Sequence, residues 1–506
     1  MKSDLPNNSE GSSHGQILRS SVLIGGSQAL VLLVGVARTK ILAVLLGPAG
    51  FGLMSVYMAI GDLAAGIASL GVDRSGVREI AVAVGSGEEE RIASTSKVVK
   101  QLSLVLGVAG ALLLVVVSPF VAQATFGEDS FAIGVAIIAL MVLCKVITGG
   151  QMALVQGLRR IRDLAIIGIV GALVGGLLSV TVVFYYGEDS VAFAVVGIAV
   201  GALIVSLWFS RPARIGLSAP ANNDFRRHAG NLIKLGFAFM ASAILMLGAS
   251  YVVRILVIRF EGLQAAGFYQ AAWALGGLYV GTILQAMGAD FYPRLSASIS
   301  DSKKVNRLVN EQTHVSLLLA GPGIAATIGG SSVLLALFYS AEFVEATSVL
   351  HWVCFGMALR VITWPIGYII VAHGRQVIFF LTELVWAVVN VLLSWLSVIQ
   401  FGLVGVGVAF FLSYVLHSFM IYPIVRNLTG FRWTRANIQL GILYLALTSL
   451  TLIVVQVLSP WQAFAFGAAI FVVTGLLSVK SLFALFEPES IPKPLRVFHR
   501  LFGSAA

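Results

Sequence analysis

The chain has 506 residues, is 58% hydrophobic and only 11% charged, and carries a formal net charge of +10 with a mean hydropathy of +0.95. A soluble protein of this length needs far more charge on its surface, so the composition excludes that class and reads as a polytopic membrane protein. The basic residues are spread through short loops between apolar runs rather than gathered on a soluble module, which excludes a nucleic-acid binder.

Residues 1–16, MKSDLPNNSEGSSHGQ, are polar and carry Asp4 and Glu10. They do not read as a signal peptide, and they form a short cytoplasmic N-terminus. Fourteen apolar runs follow that approach the roughly 20 residues a spanning helix needs. They cover 18–46, 51–72, 97–118, 131–156, 163–186, 190–209, 229–258, 264–289, 309–339, 344–372, 376–399, 402–424, 437–458 and 461–483. The fold class is therefore an all-α polytopic membrane protein. An N-lobe of six helices occupies 17–210 and a cytoplasmic linker 211–228. A C-lobe of six helices occupies 229–425. Two extra helices lie in 426–484, and a basic cytoplasmic tail, 485–506, is suited to lie on the membrane surface.

Loop charge fixes the orientation. With the N-terminus in the cytoplasm, alternate loops read DRSGVREIA with Arg91 and Lys97, GLRRIRD, RPAR with FRRH, PRLSASISDSKKVNR, HGRQ and RNLTGFRWTR, and together they hold most of the Lys and Arg residues. The opposite loops carry GEDS at 127–130 and again at 187–190, with Glu261, Glu342 and Glu345. This is the positive-inside pattern, and it puts both termini in the cytoplasm.

The chain repeats. Lys145-Val-Ile-Thr and Arg360-Val-Ile-Thr stand 360 − 145 = 215 residues apart. At that shift Gly52 meets Gly267, Arg160 meets Arg375 and Gly187 meets Gly402. An offset of six helices preserves orientation, so the lobes are parallel repeats. That arrangement suggests a transporter with a central cavity opening alternately to each side.

Intramembrane charges then become site candidates. Arg38 and Lys40 lie about 9 and 7 residues from the outer end of the first span, or about 13 and 10 Å deep. Arg254 aligns with Thr39, between them, and Lys145 and Arg360 lie near the midplane of their spans. These five cations are the expected substrate-binding residues. Asp62 lies at a depth close to that of Arg38, so a pair with Arg38 or Lys40 is expected, with ion coupling as the alternative. Glu383 is expected to pair with Arg375 or His373, or to titrate. His351 and His417 read as packing residues. Since the buried charge is positive, the cavity suits an anion, and arginine's planar fork suits phosphate.

Cys144 and Cys354 both lie in apolar segments, so neither a disulfide framework nor a metal site is expected. No GxxxxGK[ST] nucleotide loop occurs, and the glycines of GLVGVGVAFF read as helix packing. No cofactor and no enzymatic activity are expected.

The stretch VARTKILAVLLGPAGFGLMSVYMAIGDLAAGIASLGVDRSGVREIA, with the GLRRIRD loop and the fourteen-helix tandem repeat, resembles the Wzx-type flippases. These form the polysaccharide branch of the multidrug/oligosaccharidyl-lipid/polysaccharide exporter superfamily. The resemblance covers nearly the whole chain and implies translocation of undecaprenyl-pyrophosphate-linked oligosaccharides across the bacterial inner membrane. It implies a cation-lined cavity, which Arg38, Lys40, Lys145, Arg254 and Arg360 would supply, and partners among membrane lipids and other polysaccharide-assembly proteins. Drug exporters of the superfamily often carry an acidic residue on the first helix. This chain has Arg38 and Lys40 there, which ranks export of drugs or other small molecules second.

Overall fold

The protein, seen as a computed structural model, is described over residues 10–87, 89–211 and 225–485. Residues 1–9 of the expected N-terminus, most of the expected linker and all but Leu485 of the expected tail lie outside that range. Helical backbone runs Glu10–Ala68, broken at Gly47, so that α1 covers 10–46 and α2 48–68. Then come α3 (Val72–Ser86), α4 (Glu89–Phe126), α5 (Ala132–Gly157), α6 (Ile161–Tyr186) and α7 (Val191–Phe209). The run Phe225–Ser296 breaks at Gly262 into α8 (225–261) and α9 (263–296). Next are α10 (Ser302–Gly329), α11 (Ser331–Phe338) and α12 (Thr347–Ala372). The run Gln376–Thr429 breaks at Gly402 into α13 (376–401) and α14 (403–429), and α15 (Arg435–Val455) and α16 (Pro460–Leu485) complete the chain.

Among the described residues, nine apolar helices are long enough to cross a membrane, or ten when α10 and α11, bent by 84°, count as one span. Four of the ten contain a break, at Gly47, Gly187, Gly262 or Gly402. Taking each of those as two crossings gives 10 + 4 = 14, the number expected from sequence. Large apolar side chains face outward along them: on α4, Leu112, Val116 and Phe120 are 62%, 76% and 76% exposed. Such a surface suits lipid, where every helical backbone group is already hydrogen-bonded.

The repeat is written into the backbone. Gly47 (φ 61°, ψ −176°) and Gly262 (φ 87°, ψ 178°) share the 215-residue shift, as do Gly187 (φ 65°, ψ −151°) and Gly402 (φ 59°, ψ −148°). That conformation is essentially confined to glycine, so each hairpin turns on one residue without a side chain. The basic turn repeats as well. Arg160 N donates to Val155 O at 3.0 Å and Arg375 N to Ile370 O at 3.2 Å, with Arg159 (φ 56°) and Gly374 (φ 68°) left-handed in the same place.

The chain divides into two compact units, Met1–Tyr251 and Val252–Ala506, a division that falls within α8. In the first unit, α2 stops at Leu70 and Gly71, both at positive φ. The chain re-enters as α3, an amphipathic helix too polar to register as a span. Its Val72 and Ile80 pack on Val99 and Leu102 of α4, Leu154 of α5 and Leu232 of α8. The backbones of α2 and α8 meet so closely that a Cβ on Gly71 would lie 2.2 Å from Gly236 O.

In the second unit a core of Phe291, Leu295, Val305, Val309, Ile366 and Ile370 joins α9, α10 and α12. A polar stripe on α10 ties it to the α14–α15 connection. Asn306 donates to Thr429 O at 2.9 Å, Asn310 accepts from Thr434 N at 3.0 Å, and His314 Nδ1 meets Asn437 Oδ1 at 2.9 Å. Asn306, Asn310 and His314 are four residues apart and so share one helix face. A stripe satisfied in this way fixes the register of α10 against α15.

Candidate functional site

In the first unit, Lys145 Nζ donates to Asp62 Oδ1, joining α5 to α2. This corrects the expected pairing of Asp62 with Arg38 or Lys40, and the reason is geometric. The sequence suggests a four-residue loop at 47–50, but the α1–α2 hairpin turns on Gly47 alone. Measured from that glycine, Asp62 lies 15 residues down, about 22 Å, whereas Arg38 lies only about 14 Å down. Lys145 lies 13 residues into α5, about 20 Å, which is level with Asp62.

The pair borders a cavity of about 320 Å³ whose walls include Asp73 at the start of α3, Ser103 of α4, Gly149 of α5 and Leu247 of α8. The side chains of Lys145 and Asp62 remain 41% and 34% exposed. The cavity therefore holds two carboxylates against one lysine, and with the pair closed Lys145 is not a bare anion site. Arg38 lies elsewhere in this unit: a Cβ on Gly176 of α6 would sit 3.5 Å from its Cδ, so its stem runs along that helix. Lys40 is half-buried on α1.

In the second unit, Arg360 on α12 occupies the repeat position of Lys145 and is half-buried. Its electrostatic neighbours are Glu383 on α13 and Tyr414 on α14. Among the described residues, no carboxylate closes a direct ion pair with Arg360, and Glu383 forms none with Arg375 or His373. Below Glu383, on the same face of α13, Trp386 Nε1, Asn390 Oδ1 and Ser394 Oγ are buried without hydrogen-bond partners, as is His417 Nδ1 on α14. Polar atoms left so in an apolar bundle are costly unless water or a ligand reaches them. His351, as expected, is a packing residue, with Nε2 bonded to Ser331 Oγ at 2.8 Å.

Arg254 differs from the other cations. It is 8% exposed, its Nη2 donates to Gln270 Oε1 at 2.7 Å, and its guanidinium carbon lies 5.9 Å from the centre of the Tyr269 ring. It ties α8 to α9 across the Gly262 break and is enclosed by that work. Sequence reasoning missed Asp73, Ser103 and Tyr414. Asp73 is visible as the acidic first turn of an amphipathic segment, while the other two carry no sequence signal beyond their place on helices.

The sequence profile of a family described as polysaccharide biosynthesis protein matches residues 41–348. A putative O-antigen transporter of Shigella flexneri is 22% identical over 412 residues, covering 80% of this chain and 96% of the relative. The lipid III flippase of Escherichia coli (strain K12) is 23% identical over 415 residues, covering 79% and 96%. The solved structure of the lipid II flippase MurJ in an inward closed conformation superposes with a TM-score of 0.68 at 13% identity, over 91% of this chain and 99% of that one.

Proposed function

The chain belongs to the polysaccharide biosynthesis protein family, and on that premise we propose that it is a flippase for lipid-linked oligosaccharides. Its cargo is an undecaprenyl-pyrophosphate-linked O-antigen or related repeat unit. The direction is from the cytoplasmic to the periplasmic leaflet of the bacterial inner membrane, with both termini of the chain cytoplasmic. It is a transporter, not an enzyme.

One observation carries the reading. The repeat puts a cation at the same place in each unit, Lys145 and Arg360, inside helices that are otherwise apolar. A cation at that depth is costly and marks a function. Both positions suit the pyrophosphate, and they suit it differently. Arg360 offers a planar fork that makes paired hydrogen bonds to phosphate oxygens, with no carboxylate in direct contact. Lys145 is a point charge held by Asp62, so the pyrophosphate gains it by exchange with that carboxylate. Such exchange keeps binding from becoming too tight for release. Arg38 and Lys40 meet the headgroup at a shallower depth, and Arg254 positions α8 against α9. Asp62 and Glu383 are where a coupling proton or cation would act. The cycle is alternating access, exposing these cations first to one side of the membrane and then to the other.

A second reading follows from the first unit's cavity, where two carboxylates face one lysine: export of a small cation by the same fold. Purified protein in proteoliposomes separates the two. The flippase reading requires translocation of polyprenyl-pyrophosphate-linked sugars and no uptake of cationic dyes. Dye transport without sugar-lipid flipping would establish the second reading instead.

A further inference from the structure

We propose that the second unit carries a separate site for an anionic phospholipid, in a cavity of about 950 Å³ between α9, α10 and α15. The cavity lies at the helix ends joined by PRLSASISDSKKVNR, the basic side of the membrane by the loop-charge pattern. Its size is at the upper end of what small-molecule sites enclose, about 300–1,000 Å³. Neither Arg360 nor Glu383 lines it, so it is distinct from the site proposed for the transported lipid.

Three features define the occupant. The inner wall is apolar, with Met287 and Phe291 of α9 and Val315 of α10, and accepts an acyl chain. The rim carries two arginines, Arg294 and Arg307. Each is bonded to a carboxylate on its own helix, Asp290 at 3.0 Å and Glu311 at 3.1 Å. Those pairs are exposed, so they are weak, and a phosphate diester can share or displace them. Gln312 also lines the cavity, and its Nε2 is buried without a hydrogen-bond acceptor. Two guanidinium groups at the rim call for oxyanion acceptors, and the apolar wall calls for a chain attached to them. Basic pockets between helices on the cytoplasmic side are where anionic headgroups bind. The stripe from Asn306 to His314 holds α10 and α15 in place, so the cavity is preformed.

The test is native mass spectrometry of the full chain, purified and delipidated in a neutral detergent. Phosphatidylglycerol and phosphatidylcholine with identical chains are titrated in turn. The expected result is one phosphatidylglycerol retained at roughly tenfold lower concentration than phosphatidylcholine, as two basic groups near a headgroup imply. The exposed Arg294→Gln, Arg307→Gln double variant should lose most of that preference. Met287→Trp, which fills the wall, should lower retention of both lipids. The double variant changes only surface groups and keeps the test valid if Met287→Trp misfolds. Equal retention of the two lipids by the native protein overturns the proposal, and so does a preference unchanged in the double variant. Displacement by inorganic phosphate alone would identify a soluble-anion site, and displacement by polyprenyl pyrophosphate at lower concentration than phosphatidylglycerol a substrate site. Either would also overturn it.

Discussion

The two units place their cations alike and neutralise them differently. Lys145 and Arg360 share a repeat position, yet the carboxylate near each comes from a helix that has no equivalent role in the other unit. Asp62 belongs to α2, whose repeat partner is α9, and the residue at its shifted position is Gly277. Glu383 belongs to α13, whose partner is α6, where Gly168 stands. Duplication therefore accounts for the cations and not for the acids, which each unit supplies on its own. The first unit closes a contact pair. The second keeps its acid within electrostatic range but out of contact. Equivalent positions with unequal counter-charges are what a carrier needs if one unit is to bind an anion firmly and the other to release it.

Charge reversal breaks the comparison most severely. Arg360→Glu would set two carboxylates near each other and remove the open cation, and flipping should fall by at least about a hundredfold, the scale of losing two charge-assisted bonds. The measurement is the flipping rate in proteoliposomes at matched protein levels. Lys145→Glu beside Asp62 should be nearly as damaging.

Double-mutant cycles sharpen the contrast. Asp62→Asn should cost about 1–2 kcal/mol, short of the 3–5 kcal/mol for a fully buried pair, because this one is partly exposed. Combined with Lys145→Met the loss should be less than additive by about 1 kcal/mol, whereas Glu383→Gln with Arg360→Met should be close to additive. Additivity in the first cycle, read by thermal unfolding in detergent, would remove the pair.

A graft tests the comparison from the other side. Gly277→Asp gives the second unit the acid that the first has at the repeat position, and its Cβ would meet only the flexible Met357 Cε, at 3.3 Å. It should slow flipping several-fold with little loss of stability, since Arg360 becomes a held cation. The smallest effects on transport belong to the hinges, whose cost is in stability. Gly47→Ala and Gly402→Ala force a Cβ into a glycine conformation, at about 1–3 kcal/mol each in unfolding, with the two units affected alike.

Much of this was legible in the sequence. Fourteen apolar runs survive as spans because length and composition alone govern them. The repeat survives because glycine is required where it turns, at Gly47 with Gly262 and at Gly187 with Gly402. The partner of Asp62 was not legible. Depth must be counted from the true turn, and a hairpin that reads as the loop GPAG closes on its first glycine. Helix α3 was hidden because its 15 residues are too few to span a membrane and Asp73, Arg74, Arg78 and Glu79 make it read as a loop. The 84° bend between α10 and α11 falls at Gly329-Gly330-Ser331-Ser332, a break signal that is easily passed over inside a run long enough to read as one span. The α10 stripe was visible only as Asn306 in a basic loop and Asn310 and His314 at the start of an apolar run, since its partners lie more than 120 residues away in sequence.

The central claim is that repeat-related cations bind the pyrophosphate, the open one more firmly than the held one. Flipping of a defined polyprenyl-pyrophosphate-linked sugar should be compared for Lys145→Ala, Arg360→Ala, Lys145→Arg and Arg360→Lys in proteoliposomes at equal protein incorporation. The account predicts that both alanine variants fold but flip slowly, Arg360→Ala the slower, and that the charge-keeping variants retain more activity than either. Wild-type flipping by both alanine variants would contradict it and leave KVIT and RVIT as relics of the duplication.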